Sequence, residues 1–182
     1  MIYLMRHGAD DDSRLGGWSN YGLTTLGVEQ VSAALSIILS NKYNISRIIS
    51  SDLPRAKETA EIIATKLGLK VIFQPDFREI NNGILAGMLK EDANNRYPGL
   101  YYSTLEWDEC YPEGESPKMF YQRITNAWNE LKQSCIFNEN TLLVTHGGVI
   151  DIILCNEKSQ QYTNKSVTNH SKNAEIISAA QL

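Results

Sequence analysis

Two histidines and two arginines stand in short motifs whose chemistry suits a phosphoryl group. Arg6 and His7 are adjacent, Arg55 follows a proline, and His146 precedes two glycines. A guanidinium group matches two phosphate oxygens at once. An imidazole nitrogen that carries no proton can attack phosphorus, provided that a fixed acceptor holds the proton of the other nitrogen. Together these residue types predict a phosphate site with a histidine nucleophile, if the fold brings them to one place.

The elements that precede these motifs are short apolar runs. Residues 2–5, 45–49 and 141–144 are partly β-branched, which is typical of strands buried on both faces. Helical patterns alternate with them, which predicts an α/β fold: a three-layer α/β/α arrangement around a mostly parallel sheet. Ligands of such sheets bind outside the carboxyl ends of the strands. All three polar motifs follow strands, so we expect their side chains to converge.

Local signals mark the ends of two helices. Thr24 is a predicted cap of the first, and Ser51 or Asp52 of the second, with Pro54 in the first turn and Gly68 at the end. The apolar faces are Val28, Val31, Leu35, Ile38 and Leu39 in the first helix, and Ala56, Ala60, Ile63 and Leu67 in the second. Two further helices are indicated by Phe120, Ile124, Ala127, Trp128 and Leu131, and by Val149, Ile150, Ile153 and Leu154.

A chain of 182 residues is long enough for one domain with a single core, so we expect one domain over 1–182. Residues 80–117 are the least regular part and hold three of the five prolines. Their aromatic residues are Tyr97, Tyr101, Tyr102, Trp107 and Tyr111. We interpret this segment as a lid-like insertion or pocket wall, with a satellite core as an equal alternative. Residues 158–173 are predicted to be loop, and 174–180 a last strand.

An acid is needed to protonate the oxygen that leaves phosphorus. Glu79 is the candidate, because it follows the apolar run 71–73 and precedes the flexible sequence at 81–83. Asp76 and Glu115 are rivals, and spacing alone does not choose among the three.

Composition narrows the function class. A net charge of −4 argues against a nucleic-acid partner, which would require an extended basic face. Histidine and carboxylate spacing shows no local metal-binding motif, and neighbouring arginines would repel a cation, so no metal or other cofactor is expected. Cys110, Cys135 and Cys155 are odd in number and widely spaced, which predicts free thiols. No membrane span or signal peptide is evident, so no membrane partner is expected and the expected location is the cytoplasm.

Six segments, in order, resemble the histidine phosphatase superfamily, which is also called phosphoglycerate mutase-like. They are Arg-His-Gly at 6–8, Leu-Thr at 23–24 with Gly27 and Gln30, residues 50–60, Phe-Arg-Glu-Ile at 77–80 with Gly83 and Gly87, Pro-Glu-Gly-Glu-Ser at 112–116, and Thr-His-Gly-Gly at 145–148. The resemblance extends from residue 2 to about residue 155. It implies the fold described above and a phosphoryl-transfer enzyme whose substrate is a phosphate ester.

The resemblance also implies roles for individual residues. His7 is the residue that becomes phosphorylated, and Arg6, Arg55 and His146 hold the phosphoryl group. Glu79 is the acid and afterwards the base. The resemblance therefore selects Glu79 over Asp76 and Glu115.

The loop after the first motif departs from the family pattern. Ala9, Asp10 and Ser13 stand where the family often has Glu, Thr and a phosphate-contacting Asn. Ser13 therefore remains a candidate substrate contact by position, and Gly147 by the close approach that its backbone allows. Trp18 is expected at the pocket edge. The run of three aspartates that begins at Asp10 places negative charge near the pocket mouth.

The resulting expectation is a metal-independent phosphatase that hydrolyses small-molecule phosphate monoesters through a phosphohistidine. One alternative is a phosphoglycerate mutase, which needs extra segments that this chain is too short to hold. The other is a non-catalytic phosphate-binding module, against which the intact set of site residues argues. The sequence does not identify the substrate or the oligomeric state.

Overall fold

The apolar runs form a five-stranded sheet. The structure is a computed structural model that describes residues 1–134 and 139–180. The strands are β1 (Ile2–Arg6), β2 (Arg47–Ser50), β3 (Val71–Phe73), β4 (Thr141–Thr145) and β5 (Ile176–Ala180). The helices are α1 (Thr25–Ile37), α2 (Pro54–Leu67), α3 (Lys90–Arg96), α4 (Pro117–Ser134) and α5 (Gly147–Glu157), and α1 continues as a wider helical turn over Ile38–Lys42.

The sheet has the strand order β3-β2-β4-β1-β5. Its first four strands are parallel, and β5 is antiparallel to β1 at the edge. This arrangement confirms the predicted fold class. Because β2, β4 and β1 are neighbours and run in the same direction, the residues after Ser50, Thr145 and Arg6 emerge at one edge of the sheet.

Both faces of the sheet are covered. Leu4 and Leu143 pack with α4 and α5 on one face, and Met5 and Val144 pack with α1 and α2 on the other. Alternate residues of one strand therefore serve two cores, which explains why these strands are apolar without a polar face. The predicted apolar residues of α4 and α5 are all buried.

The helix caps agree only in part with the sequence signals. The Thr24 hydroxyl accepts a hydrogen bond from the Gly27 N–H, which confirms that cap. Gly68 has a φ of 65° at the end of α2, which is the left-handed conformation that glycine favours.

The cap of α2 and part of the α1 face were predicted wrongly. Helix α2 begins at Pro54 after Leu53, and no side chain caps it. The Ser51 hydroxyl bonds to His146 and accepts from the Leu53 N–H just before the helix, and Asp52 pairs with Arg78. In α1, the buried stripe passes through Gly27, Val31, Ala34 and Leu35. This stripe leaves Val28 42% exposed, and the wider turn leaves Leu39 51% exposed.

Residues 80–117 fold into α3 and a series of turns. Leu85, Ala93, Leu105 and Tyr111 form a small separate core there, against which Tyr97 and Tyr102 pack. Tyr102 also lines the cavity described below, whereas Tyr101 and Trp107 are exposed. The segment is therefore both a satellite core and a cavity wall.

Two thiols lie in the described part of the chain. Cys110 is exposed, Cys155 is buried, and both are free, whereas Cys135 lies outside the described residues. Among the described helices, none is long and apolar enough to cross a bilayer.

Candidate active site

The ends of three neighbouring strands bring the predicted polar side chains together. His7 follows β1, His146 follows β4, and Arg55 lies in the first turn of α2 after β2. The His7 and His146 rings have centroids 5.1 Å apart, and the Arg55 Nε lies 3.1 Å from the His7 Nε2. All three side chains are at least 96% buried, with exposures of 4% for His7, 0% for His146 and 2% for Arg55.

The hydrogen bonds of His7 define its tautomer. Its Nδ1 lies 2.7 Å from the Gly8 carbonyl oxygen, which can only accept, so Nδ1 carries the proton. Its Nε2 accepts a hydrogen bond from the Arg55 Nε. The lone pair of Nε2 therefore points toward the site, and the proton on Nδ1 is held by backbone. This is the arrangement that a histidine nucleophile requires.

Arg55 is fixed by polar contacts from each of its nitrogens. Besides bonding His7, its Nη1 donates to the Ser19 Oγ (3.2 Å) and its Nη2 to the Gly17 carbonyl (2.8 Å). The Asp10 Oδ2 lies 3.4 Å from the Arg55 Nε. A carboxylate of the pocket mouth thus balances the charge of a buried guanidinium group.

Two buried nitrogens of the site have no hydrogen-bond partner in the described part of the chain. They are the Arg6 Nε and the His146 Nδ1. The other His146 nitrogen, Nε2, lies 2.8 Å from the Ser51 Oγ, and one Arg6 terminal nitrogen donates to the Ser171 carbonyl. Buried polar atoms without a partner are costly, so these two nitrogens indicate that the site is built to receive a polar ligand.

Both histidines are held in their neutral form. Burial, followed by the charge of Arg55, lowers the pKa of His7 well below its usual value. Burial and then Arg55 also lower the pKa of His146 well below its usual value. At neutral pH the His7 Nε2 is therefore unprotonated, and its lone pair accepts the Arg55 N–H.

These lowered pKa values predict that the protein becomes less stable in mild acid. Below about pH 6.5 the unfolded chain binds protons that the two folded histidines do not bind. The free energy of unfolding should therefore fall by about 1.4 kcal/mol per pH unit for each histidine, until the pH reaches the folded pKa. Urea unfolding at pH 7.5, 6.5 and 5.5 measures this slope. His146→Asn should have a shallower slope than the wild type, and equal slopes would contradict the expectation.

Glu79 lies at the N-terminus of α5. Its Oε2 accepts from the Gly148 N–H at 3.1 Å, and its Oε1 accepts from the Ile80 N–H at 3.1 Å. A Cβ on Gly148 would lie 2.5 Å from the Glu79 Oε1, so only glycine allows this close approach. The helix N-terminus attracts the carboxyl group and fixes it beside the histidine-bearing loop.

Arg123 of α4 organises the backbone that carries Glu79. Its Nη1 donates to the carbonyls of Asp76 (2.7 Å) and Arg78 (3.0 Å), and its Nη2 donates to the carbonyl of Glu79 (3.1 Å). Arg123 also binds both carboxylate oxygens of Glu115 at 2.8 Å. Glu115 is thus occupied in an ion pair, and the Asp76 side chain is exposed to solvent. Of the three candidate carboxylates, Glu79 shares the walls of two cavities with His7, whereas Asp76 and Glu115 line neither.

A cavity of about 430 Å³ opens in front of these groups. Its wall includes Arg6, His7, Arg55, Glu79 and Gly148 at the base, the aspartates of 10–12 with Arg14 and Lys90 at the mouth, and Leu15, Ile80, Tyr102 and Phe120 along one side. A smaller cavity of about 250 Å³, with Gly147 in its wall, adjoins Arg6 and His7 on the side of residues 167–171.

Two expected substrate contacts lie away from these cavities. The Ser13 hydroxyl donates to the Asp11 Oδ1 at 2.6 Å within an exposed turn. The Trp18 ring stacks on the Arg78 guanidinium group at 4.7 Å and lines a separate charged groove. The Trp18 indole N–H instead donates to the Glu79 carbonyl at 2.7 Å. Local loop bonding explains both differences: Ser13 is held in its own turn, and Trp18 supports the backbone of the carboxylate.

Three contacts that the sequence did not predict contribute to the site. Asp10 pairs with Arg55, Ser51 bonds to His146, and Arg123 holds the Glu79 segment. Arg123 lies three residues after the buried Phe120 on α4, so a charged residue beside an apolar face was the available signal. Within residues 1–134 and 139–180, no group of three or more His, Cys, Asp or Glu side chains is arranged to hold a metal ion.

Comparison with known proteins identifies the family of the chain. Residues 2–179 match the histidine phosphatase superfamily (branch 1), and the chain belongs to this family. A probable phosphoglycerate mutase, GpmB of Escherichia coli (strain K12 / DH10B), is 35% identical over 153 residues, which cover 80% of this chain and 69% of the relative.

Solved structures show the same fold. A mycobacterial glucosyl-3-phosphoglycerate phosphatase in complex with VO3 has a TM-score of 0.78 and 27% identity, and the match covers 96% of this chain and 90% of that one. An alpha-ribazole phosphatase of Shigella flexneri has a TM-score of 0.81 over 96% of this chain and 87% of that one. Its identity is 21%, so it supports the fold alone.

Proposed function

We propose that this protein is a phosphatase that hydrolyses small-molecule phosphate monoesters through a phosphohistidine on His7. The observation that carries the proposal is the state of His7: the neutral ring holds its proton on Nδ1 against the Gly8 carbonyl and directs Nε2 at the site. The size of the cavity, about 430 Å³, supports a small molecule as substrate. No metal or cofactor takes part in the proposed reaction, so EDTA should leave the activity unchanged.

In the first step, His7 and Glu79 act on opposite sides of phosphorus. A phosphoryl oxygen takes over the Arg55 N–H that now bonds to the His7 Nε2, which frees the lone pair. Nε2 forms the N–P bond while the bond from phosphorus to the ester oxygen breaks. Glu79, as the carboxylic acid, gives its proton to that oxygen, and the alcohol leaves.

In the second step, water replaces the alcohol. Glu79, now a carboxylate, takes a proton from the water, whose oxygen attacks phosphorus as the N–P bond breaks. Inorganic phosphate leaves, and the imidazole and the carboxylic acid are restored. Arg6, Arg55 and His146 stabilise the negative charge on the phosphoryl oxygens in both steps. The unpartnered Arg6 Nε and His146 Nδ1 support this role.

A phosphoglycerate mutase is the second candidate, because a 35% identical relative bears that name. Both enzymes would form a phosphohistidine, but a mutase returns the phosphoryl group to the substrate. The purified protein should be given 3-phosphoglycerate and a panel of other phosphate esters, with phosphate release and isomerisation measured together. We expect release to dominate; isomerisation that runs much faster than release would identify a mutase instead.

Asp10 is expected to weaken the binding of phosphate. Its carboxylate lies 3.4 Å from the Arg55 Nε and so competes with an incoming anion for the guanidinium group. Asp10→Asn should therefore lower the Kd for inorganic phosphate by about tenfold, as calorimetry can measure. Asp12→Asn is the matched control, because this exposed residue lines the same cavity mouth. If both substitutions lower the Kd equally, the effect comes from the net charge of the cavity mouth and not from the contact between Asp10 and Arg55.

A further inference from the structure

One side of the larger cavity is apolar and adjoins the proposed acid. Leu15, Ile80, Tyr102 and Phe120 line the cavity and belong to adjoining hydrophobic clusters. Glu79 lines the same cavity and, like Phe120, contacts the position of a Gly148 Cβ. The alcohol that leaves phosphorus must lie next to the acid that protonates it. The groups around Glu79 therefore decide which alcohols the site accepts.

The position of Tyr102 makes this wall apolar even though tyrosine has a hydroxyl group. The Tyr102 and Tyr162 hydroxyl oxygens lie 2.8 Å apart, so the polar end of the ring is already paired. Burial raises the pKa of Tyr102 above its usual value, which keeps this hydroxyl protonated. The part of the side chain left for a ligand is its ring.

The wall is also fixed before any ligand binds. The Tyr102 ring packs edge-to-face on Phe120, with centroids 6.2 Å apart. The buried Asn164 side chain donates to the backbone carbonyls of Tyr102 (2.8 Å) and Leu105 (2.9 Å). Because several contacts hold the ring, an apolar ligand would not have to order this surface on binding.

Part of the charge at the cavity mouth is paired within the protein. Asp10 lies beside Arg55, and the Asp11 Oδ2 lies 3.2 Å from the Arg14 Nε. Because these charged groups already pair with each other, they are less able to bind a polar ligand. Apolar ligand surface that covers the apolar side is removed from water, which favours binding.

We infer that the substrate is a phosphate monoester whose alcohol carries an aromatic or branched apolar group close to the phosphate. This inference rests on the proposed phosphatase activity and specifies its substrate class. The ring or branched chain packs on Leu15, Ile80, Tyr102 and Phe120, while the phosphoryl group lies against His7. Esters of strongly polar alcohols of the same length leave this wall in contact with water.

Benzyl phosphate and glycerol 3-phosphate provide the test, because both release a primary alcohol and differ mainly in its apolar surface. For the wild type we expect kcat/KM for benzyl phosphate to be at least tenfold higher. In Tyr102→Ala this advantage should fall to about twofold, and in Tyr102→Phe, which keeps the ring, it should persist. Tyr101→Ala is the matched control, because the neighbouring ring is exposed and its hydroxyl donates to Asn94. It should keep the wild-type ratio.

The outcomes separate this inference from the proposed function. If neither ester releases phosphate and no other ester of the panel does, the phosphatase proposal itself fails. If both esters are hydrolysed at similar rates, or if Tyr101→Ala and Tyr102→Ala change the ratio equally, the substrate class is wrong and the phosphatase stands. Should Tyr102→Ala not fold, competition in the wild type decides: benzylphosphonate should inhibit at least tenfold better than methylphosphonate, and equal inhibition would overturn the inference.

Discussion

Replacing His7 with alanine is expected to lower phosphate release by about 10⁴-fold or more, because the substitution removes the atom proposed to bond to phosphorus. The other residues proposed to bind the phosphoryl group, Arg6, Arg55 and His146, remain in the variant. Binding of inorganic phosphate should therefore persist, within about tenfold of the wild type. Steady-state release of phosphate from benzyl phosphate, together with calorimetry of phosphate binding, measures both quantities.

This pair of measurements separates catalysis from folding. A variant that binds phosphate but releases none has lost the nucleophile and kept the site. A His7→Ala protein that folds and turns over at the wild-type rate would rule out His7 as the nucleophile.

Glu79→Gln is expected to affect the two steps of the reaction differently. With benzyl phosphate, kcat should fall by roughly 10²- to 10⁴-fold, because an alkoxide needs the proton that glutamine cannot supply. With p-nitrophenyl phosphate, the leaving phenolate needs no proton, so the first step should remain fast. The second step still lacks its base. A burst of about one equivalent of p-nitrophenolate per enzyme should then precede slow turnover.

Stopped-flow absorbance with p-nitrophenyl phosphate tests for this burst. Asp76→Asn is the matched control, because Asp76 is a nearby carboxylate whose side chain is exposed. It should turn over both esters as the wild type does. If Glu79→Gln slows both esters to the same extent and gives no burst, Glu79 has a role other than proton transfer.

The sequence predicted the site where a general property of parallel sheets determined it. Residues that directly follow neighbouring parallel strands must emerge at the same edge, so His7 and His146 could be placed together from the strand pattern alone. Arg55 follows from the same rule, because α2 begins four residues after the end of β2. For these residues, chain direction places the backbone at one edge of the sheet.

Contacts made by loops could not be predicted in this way. Trp18 was expected at the pocket edge, but its indole N–H bonds to the Glu79 carbonyl, 61 residues along the chain. Arg123 holds the same carbonyl from α4, and no local pattern connects residue 123 with residue 79. Such contacts depend on how irregular segments pack, which neither periodicity nor spacing specifies.

Periodicity and residue type also failed to predict one helix cap and part of one helix face. Ser51 is a favourable capping residue by type, yet its hydroxyl bonds to the buried His146 imidazole, which needs a partner, and α2 begins three residues later at Pro54. Val28 fits the apolar period of α1 but lies beside the buried stripe. For Ser51 a tertiary contact outweighed a local preference, and for Val28 the direction of the helix face decided which residues are buried.

The phosphoenzyme itself provides the most direct test. Glu79→Gln should be mixed with p-nitrophenyl phosphate that carries a radioactive phosphoryl group, quenched in alkali, digested and mapped. We expect about one phosphoryl group per protein, stable in alkali and lost in acid, on the peptide that contains His7. A label on the peptide that contains His146, or no label while p-nitrophenolate is released in a burst, would contradict a phosphohistidine at His7.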